Sequence, residues 1–134
     1  MILDAGPVIA YFDAHEDHHA WCVRQFESLK PPLLSCEAAM AEAVYVIESR
    51  GGDSARLLEF VRDKIIRLPF HLEDEVESVV AMRRRYSDVP MSLADACLVR
   101  MIEQRPHARV LTLDRDFKIY RRHGRQVIPL IFPD

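Results

Sequence analysis

Short aliphatic runs alternate along this chain with longer stretches of helical pattern, and that alternation leaves few architectures open. The runs cover residues 1–4, 33–35, 65–69, 110–113 and 127–131. Between them the punctuation is that of helices. Gly6-Pro7 opens a short helix through Phe12, proline suiting a first turn. A second covers 18–29 and stops at Pro31-Pro32, and a third covers 37–50 and ends at Gly51-Gly52. Asp53 or Ser54 caps a helix to Lys64, another spans 73–86, and Ser92 opens one that runs to Gln104, ahead of Pro106. A short helix over 117–123 precedes the last strand. Strand and helix in turn predict one α/β domain over residues 1–134, a three-layer α/β/α sandwich around a mostly parallel sheet of about five strands. In such sheets the ligand site lies beyond the carboxyl ends of the strands, where strand order reverses.

Four carboxylates stand where that pattern wants apolar residues. Asp4 closes the first run and Asp114 closes Val110-Leu111-Thr112-Leu113. Glu42 interrupts an Ala- and Val-rich helix, and Asp95 lies within Leu93-Ala94 and Ala96-Cys97-Leu98-Val99. An ionised carboxylate in apolar surroundings costs several kcal/mol or takes up a proton. Convergence on a cation turns that liability into a binding site. At about 100° per residue Glu37 and Glu48 share one helix face, and Glu42 lies roughly 120–140° away among Ala38, Ala39, Tyr45 and Val46. It is expected to be buried.

Structural roles compete for each aspartate. Ser92-x-x-Asp95 has the form of a capping box, Asp4 can receive amides in a turn, and Asp114 or Asp116 can cap the next helix. Asp4, Asp114 and the start of the Asp95 helix nevertheless converge on one edge of the expected sheet.

The net charge of −3 argues against a nucleic-acid binder, but its distribution does not. Residues 1–82 carry a balance of −8 and residues 83–125 one of +6, so the second part can form a local positive field. Arginine outnumbers lysine 15 to 3, which suits bidentate phosphate contacts and equally suits a GC-rich genome. Cys22, Cys36 and Cys97 lack metal-ligand spacing and read as buried free thiols of a reducing cytoplasm. His15, His18 and His19 read as a solvated helix start rather than a metal site. No run is long enough to span a membrane, and acidic residues interrupt the first twenty positions where a signal peptide would be apolar.

Four segments together resemble the PIN-domain nucleases, and among them the VapC-type toxins of toxin–antitoxin pairs. They are Leu3-Asp4-Ala5-Gly6-Pro7-Val8-Ile9, Ala41-Glu42-Ala43-Val44-Tyr45-Val46, Pro90-Met91-Ser92-Leu93-Ala94-Asp95-Ala96 and Leu111-Thr112-Leu113-Asp114-Arg115-Asp116-Phe117. The resemblance implies a metal-dependent endoribonuclease using Mg²⁺ or Mn²⁺. Asp4, Glu42 and Asp95 are then the central metal-binding and catalytic acids, Asp114 a more variable fourth, and Asp116 a neighbouring ligand. It also implies an RNA substrate, a small antitoxin partner, a homodimer and a cytoplasmic location. Ser92, Thr112 and Arg115 are expected beside the substrate, with Arg83, Arg84, Arg85, Arg121 and Arg122 near its phosphates. Many family members carry Ser or Thr two residues after the first aspartate, where this chain has Gly6. That departure keeps open a second reading, a catalytically idle module that binds RNA or protein.

The chemistry fits the residue types. Hard divalent ions choose carboxylate oxygen, and two to four acids suffice without histidine. Other folds of similar length fit less well. A receiver domain needs an acidic pair after its first strand and a lysine after its fifth. A haloacid-dehalogenase-type phosphatase needs Asp-x-Asp on the first strand, and here that spacing occurs only at Asp114-Arg115-Asp116.

Overall fold

A computed structural model describes residues 1–134. Its core is a five-stranded sheet, every neighbouring pair parallel, in the order β3-β2-β1-β4-β7. The strands are β1 (Ile2–Leu3), β2 (Leu33–Leu34), β3 (Ile66–Arg67), β4 (Val110–Leu111) and β7 (Leu130–Ile131). Each is short, but the ladder reaches one residue beyond its strands. The Asp4 amide donates to the Leu111 carbonyl, Ser35 to Arg67 and Thr112 to Ile131. Register follows the apolar runs, with Ile2 opposite both Leu34 and Val110, and Leu3 opposite Leu111. From β1 the chain builds outward to β3 on one side, then returns to place β4 on the other. Strand order therefore reverses between β1 and β4, beneath Asp4 and Asp114.

Six helices flank the sheet: α1 (Ala5–Phe12), α2 (His19–Ser28), α3 (Glu37–Ser49), α4 (Ala55–Arg62), α5 (Leu72–Arg85) and α6 (Leu93–Glu103). The expected caps are in place. The Ser92 hydroxyl accepts from the Asp95 amide at the start of α6. Gly51 takes φ +78° after α3, and the Gly51 and Gly52 amides close back on Glu48 and Ile47, a paired C-terminal cap that favours glycine. Helix α6 is the central one, packing against β1, α3 and α5. Ala94 through Val99, Met101 and Ile102 are all buried, so Asp95 sits in an otherwise apolar run. The three cysteines are buried free thiols, and no helix is long and apolar enough to cross a membrane.

The last quarter of the chain differs from expectation. In place of a helix over 117–123 there is a 3-10 turn, Arg115–Lys118, followed by a two-stranded antiparallel hairpin of β5 (Arg121–Arg122) and β6 (Gln126–Val127). His123 and Gly124 both take positive φ at its tip, a reversal that helix continuation forbids. Residues 126–127 thus belong to the hairpin, and only 130–131 of the expected fifth strand join the sheet. The hairpin is pinned by Arg85 donating to the Gly124 carbonyl and by the Arg121 amide donating to the Tyr86 hydroxyl.

Burial separates two leucines that look alike in sequence. Leu98→Ala on α6, fully buried, is expected to lower unfolding stability by about 2–5 kcal/mol. Leu58→Ala on α4, where the side chain is exposed, should cost no more than about 0.5 kcal/mol. Urea unfolding of the two variants checks the assignment of the core.

Candidate active site

Asp4 ends β1 and caps α1. Its Oδ1 accepts from the Ala5 amide at 2.8 Å, and its Oδ2 accepts from the Thr112 hydroxyl at 2.7 Å. The same Thr112 oxygen accepts from the Asp114 amide at 2.9 Å, so one hydroxyl fastens the ends of β1 and β4 together. The turn role weighed for Asp4 is therefore real, and it leaves further lone pairs on both oxygens unused. Asp4 is only 5% exposed.

Asp95 lies on the first turn of α6 and is 7% exposed. Its Oδ2 accepts from the hydroxyl of Tyr120, itself fully buried, at 2.9 Å. Asp114 caps the 3-10 turn by accepting from the Asp116 amide at 2.9 Å. None of Asp4, Glu42, Asp95, Asp114 and Asp116 is in an ion pair; the chain's salt bridges lie elsewhere, at Arg50, Arg62 and Arg100.

Glu42 corrects an expectation. It is exposed rather than buried, because the buried stripe of α3 runs through Ala39, Met40, Ala43 and Ile47. Ala41 beside it is exposed as well, and Tyr45 one turn on is 73% exposed. Alanine neighbours carry little information about burial, and that misplaced the face. Glu42 nonetheless feels the cluster. Partial desolvation of its carboxyl, then the charges of Asp95 and Asp114, push its pKa up.

The two buried aspartates are perturbed in the same direction. Burial, aided by Asp95 and Asp114, pushes Asp4 up to about 7 against the pull of the Thr112 and Ala5 hydrogen bonds. Burial first, then Asp114, raises Asp95, against its bonds to Tyr120 and Ser92. Burial and the bond to Asp95 hold the Tyr120 phenol protonated, fixing it as a donor.

These acids interact through space without closing on one point. No three of the chain's His, Cys, Asp or Glu side chains stand close enough to enclose an ion as they are. The donor set still fits a hard divalent cation. It is all oxygen, two members are buried and unneutralised, and the third lies open at the mouth.

Most of the basic residues expected at the substrate have other engagements. Arg83 donates to the Met91 carbonyl, Arg85 to Gly124, Arg121 to Lys118, Ile119 and Tyr120, and Arg122 to Pro106. Arg84 and Arg115 are exposed, and neither is in an ion pair. Ser92 and Thr112 sit beside the aspartates, as the cap of α6 and the clamp between strands. His15 and His18 are exposed and His19 bonds the Ala10 carbonyl, in keeping with a solvated helix start. A side chain at Gly6 would meet Leu113 only at ordinary contact distance, so packing does not require glycine there. Tyr120 is the site residue the sequence did not announce. Nothing local distinguishes it, and its bond to Asp95 spans 25 residues.

Two aspartates lie at the switch point, a third acid on α3 and a fourth past β4, and the PIN domain family model matches residues 1–122. The chain belongs to the PIN domain family. Ribonuclease VapC26 of Mycobacterium tuberculosis (strain ATCC 25618 / H37Rv) is 29% identical to it over 119 residues, covering 86% of this chain and 87% of that protein. The crystal structure of Mycobacterium tuberculosis VapC20, described as a sarcin-ricin loop cleaving toxin, superposes with a TM-score of 0.78 at 18% identity. That match covers 96% of this chain and 98% of the other, and it establishes the PIN fold over nearly the whole molecule.

The Asp4 shift makes the stability of the metal-free PIN domain depend on pH. An unfolded chain releases the Asp4 proton near 3.8 and the folded protein near 7, so between these values the folded state holds more protons. Stability should fall as pH rises from about 4 to 7; Asp95 and Glu42, also raised, act with the same sign, and Asp4→Asn removes the share that Asp4 contributes. Asp13, Asp63 and Glu75, whose pKa values are lowered, act with the opposite sign and only in more acidic solution. Thermal melts in a chelating buffer check this. An equal slope in wild type and Asp4→Asn contradicts it.

Proposed function

We propose that this PIN-domain protein is a metal-dependent endoribonuclease, the toxin of a toxin–antitoxin pair, with Asp4, Glu42, Asp95 and Asp114 as its catalytic acids. The observation that carries the reading is the pair of buried aspartates at the β1/β4 switch point with no cationic side chain to neutralise them. Asp4, Glu42 and Asp95 would hold the ion, Mg²⁺ or Mn²⁺, with Asp114 and Asp116 as further ligands. A divalent cation bound there supplies positive charge to the phosphoryl oxygens, to the attacking water and to the departing oxygen.

The protein's own part is orientation and proton handling. Thr112 and the Ala5 amide fix both oxygens of Asp4, and Tyr120 and Ser92 fix Asp95, so neither carboxylate has to reorganise as charge develops. Glu42 is the acid open both to solvent and to the cluster. Its raised pKa suits a carboxylate oxygen that takes a proton from the attacking water. In-line displacement then leaves 5′-phosphate and 3′-hydroxyl ends. Arg115, exposed beside Asp114, would meet a backbone phosphate, with Ser92 and Thr112 as nearby hydroxyls.

Two apolar surfaces support the partner reading. An antitoxin helix suits the groove of 330 Å³ lined by Tyr11, Val23, Phe26, Leu29 and Phe60. A homodimer suits the exposed stripe of Leu72, Val76 and Val80 on α5. A cytoplasmic location accords with free thiols and an RNA substrate. The idle-module reading rests on Gly6 and on the open spacing of the acids.

Mn²⁺-dependent cleavage of single-stranded RNA should fall about 10²–10³-fold or more in Asp4→Asn and in Asp95→Asn protein whose folding is verified by circular dichroism. Equal cleavage by wild type and both variants would point to a contaminant and favour the idle module.

A further inference from the structure

Lys64, Arg67 and Arg105 line one cleft of 450 Å³, and no acidic side chain lines it with them. None of the three is in an ion pair, and none of their side chains donates a hydrogen bond within the protein. They come from two segments: Lys64 and Arg67, three residues apart between the end of α4 and the end of β3, and Arg105 just past α6. Their arrangement mirrors the acid cluster, like charges gathered with no counter-charge. Lys64 has φ +64°, a conformation that favours glycine or asparagine, so this cation occupies a position better suited to a residue without its side chain. Leu34, Ile66 and Leu68 supply apolar wall between the charges.

We propose that this cleft is a second, non-catalytic site for phosphate groups, holding the backbone of an RNA strand away from the bond that is cut. The inference rests on the ribonuclease reading for the source of the phosphate, while the cleft's chemistry requires only an anion with phosphate geometry. Asp95 and Arg105 lie at opposite ends of α6, about 15 Å apart along its axis at the usual rise per residue. Because α6 is buried along most of its length, a strand that reaches both ends runs around the surface and spans more than this axial distance. Guanidinium pairs phosphate bidentately and lysine adds a point charge, with no need for base recognition. The cleft would therefore add affinity without adding sequence preference.

Fluorescence anisotropy of a labelled single-stranded RNA of about twenty nucleotides tests this on Asp95→Asn protein, with and without Lys64→Gln/Arg67→Gln/Arg105→Gln. The triple change is expected to weaken binding at least tenfold at low salt. It should also flatten the plot of log affinity against log salt by about 2, three contacts each worth about 0.7. In the wild-type background it should raise KM and leave kcat unchanged. Competition by AMP that disappears in the triple variant assigns the same phosphate chemistry to a free nucleotide; no competition assigns it to the strand. Unchanged affinity and slope in a soluble triple variant overturn the proposal, and leave the cations the role of protecting an edge strand such as β3. Should the triple variant not stay soluble, Arg105→Gln, which is off the edge strand, must flatten the slope by about 0.7. Loss of the nuclease reading would show separately, as an intact wild type that cleaves nothing.

Discussion

Asp4 is held between the Thr112 hydroxyl and the Ala5 amide, with Asp95 and Asp114 close enough to repel it and no cation paired with any of the three. Buried carboxylates are normally paired, because the desolvation of an unpaired charge costs several kcal/mol. Here hydrogen bonds recover only part of that cost, and the rest appears as a pKa pushed up to about 7. Every buried side-chain polar atom has a hydrogen-bond partner, the Asp4 oxygens included, so what is left uncompensated at this point is charge rather than hydrogen bonding.

The surrounding structure serves to keep that arrangement in register. Parallel pairing of β1 with β4 sets Asp4 opposite Thr112, and Ser35 on the far side donates to the Leu3 carbonyl, so three strand ends are tied. Helix α6 carries Asp95 in from the core, aimed by the Ser92 cap. The terminal hairpin, anchored to Arg85, Tyr86 and Glu103, holds the segment from which Tyr120 reaches Asp95. Glu42 lies outside this rigid frame on an exposed helix face. Two acids, Asp4 and Asp95, are therefore fixed, and one, Glu42, is open to solvent.

How much of this was legible in the sequence depends on how local each signal is. The strands and α6 were readable because short aliphatic runs, Ser92 and Pro106 are local cues, and Gly51-Gly52 marked the end of α3 for the same reason. Asp4 and Asp114 could be placed at strand ends, and so near each other, by the alternation alone. The exposure of Glu42 is not legible, since Ala38 and Ala41 suit either face of a helix. The hairpin escaped notice because Arg121-Arg122 and Gln126-Val127 lack the β-branched and aromatic residues that announce strands. The bond from Thr112 to Asp4 spans 108 residues, and that from Tyr120 to Asp95 spans 25; no pattern within a window of sequence encodes either.

The proposed role of the acid cluster is to hold a hard divalent cation. Calorimetric titration of Mn²⁺ into chelator-stripped protein near pH 8 tests it most directly. Wild type and Asp63→Asn, a surface acid paired with Arg62 on α4, are expected to bind alike. Asp4→Asn and Asp95→Asn should each lose at least tenfold in affinity. Mn²⁺ binding of equal strength in all four proteins, or in none, would contradict the account.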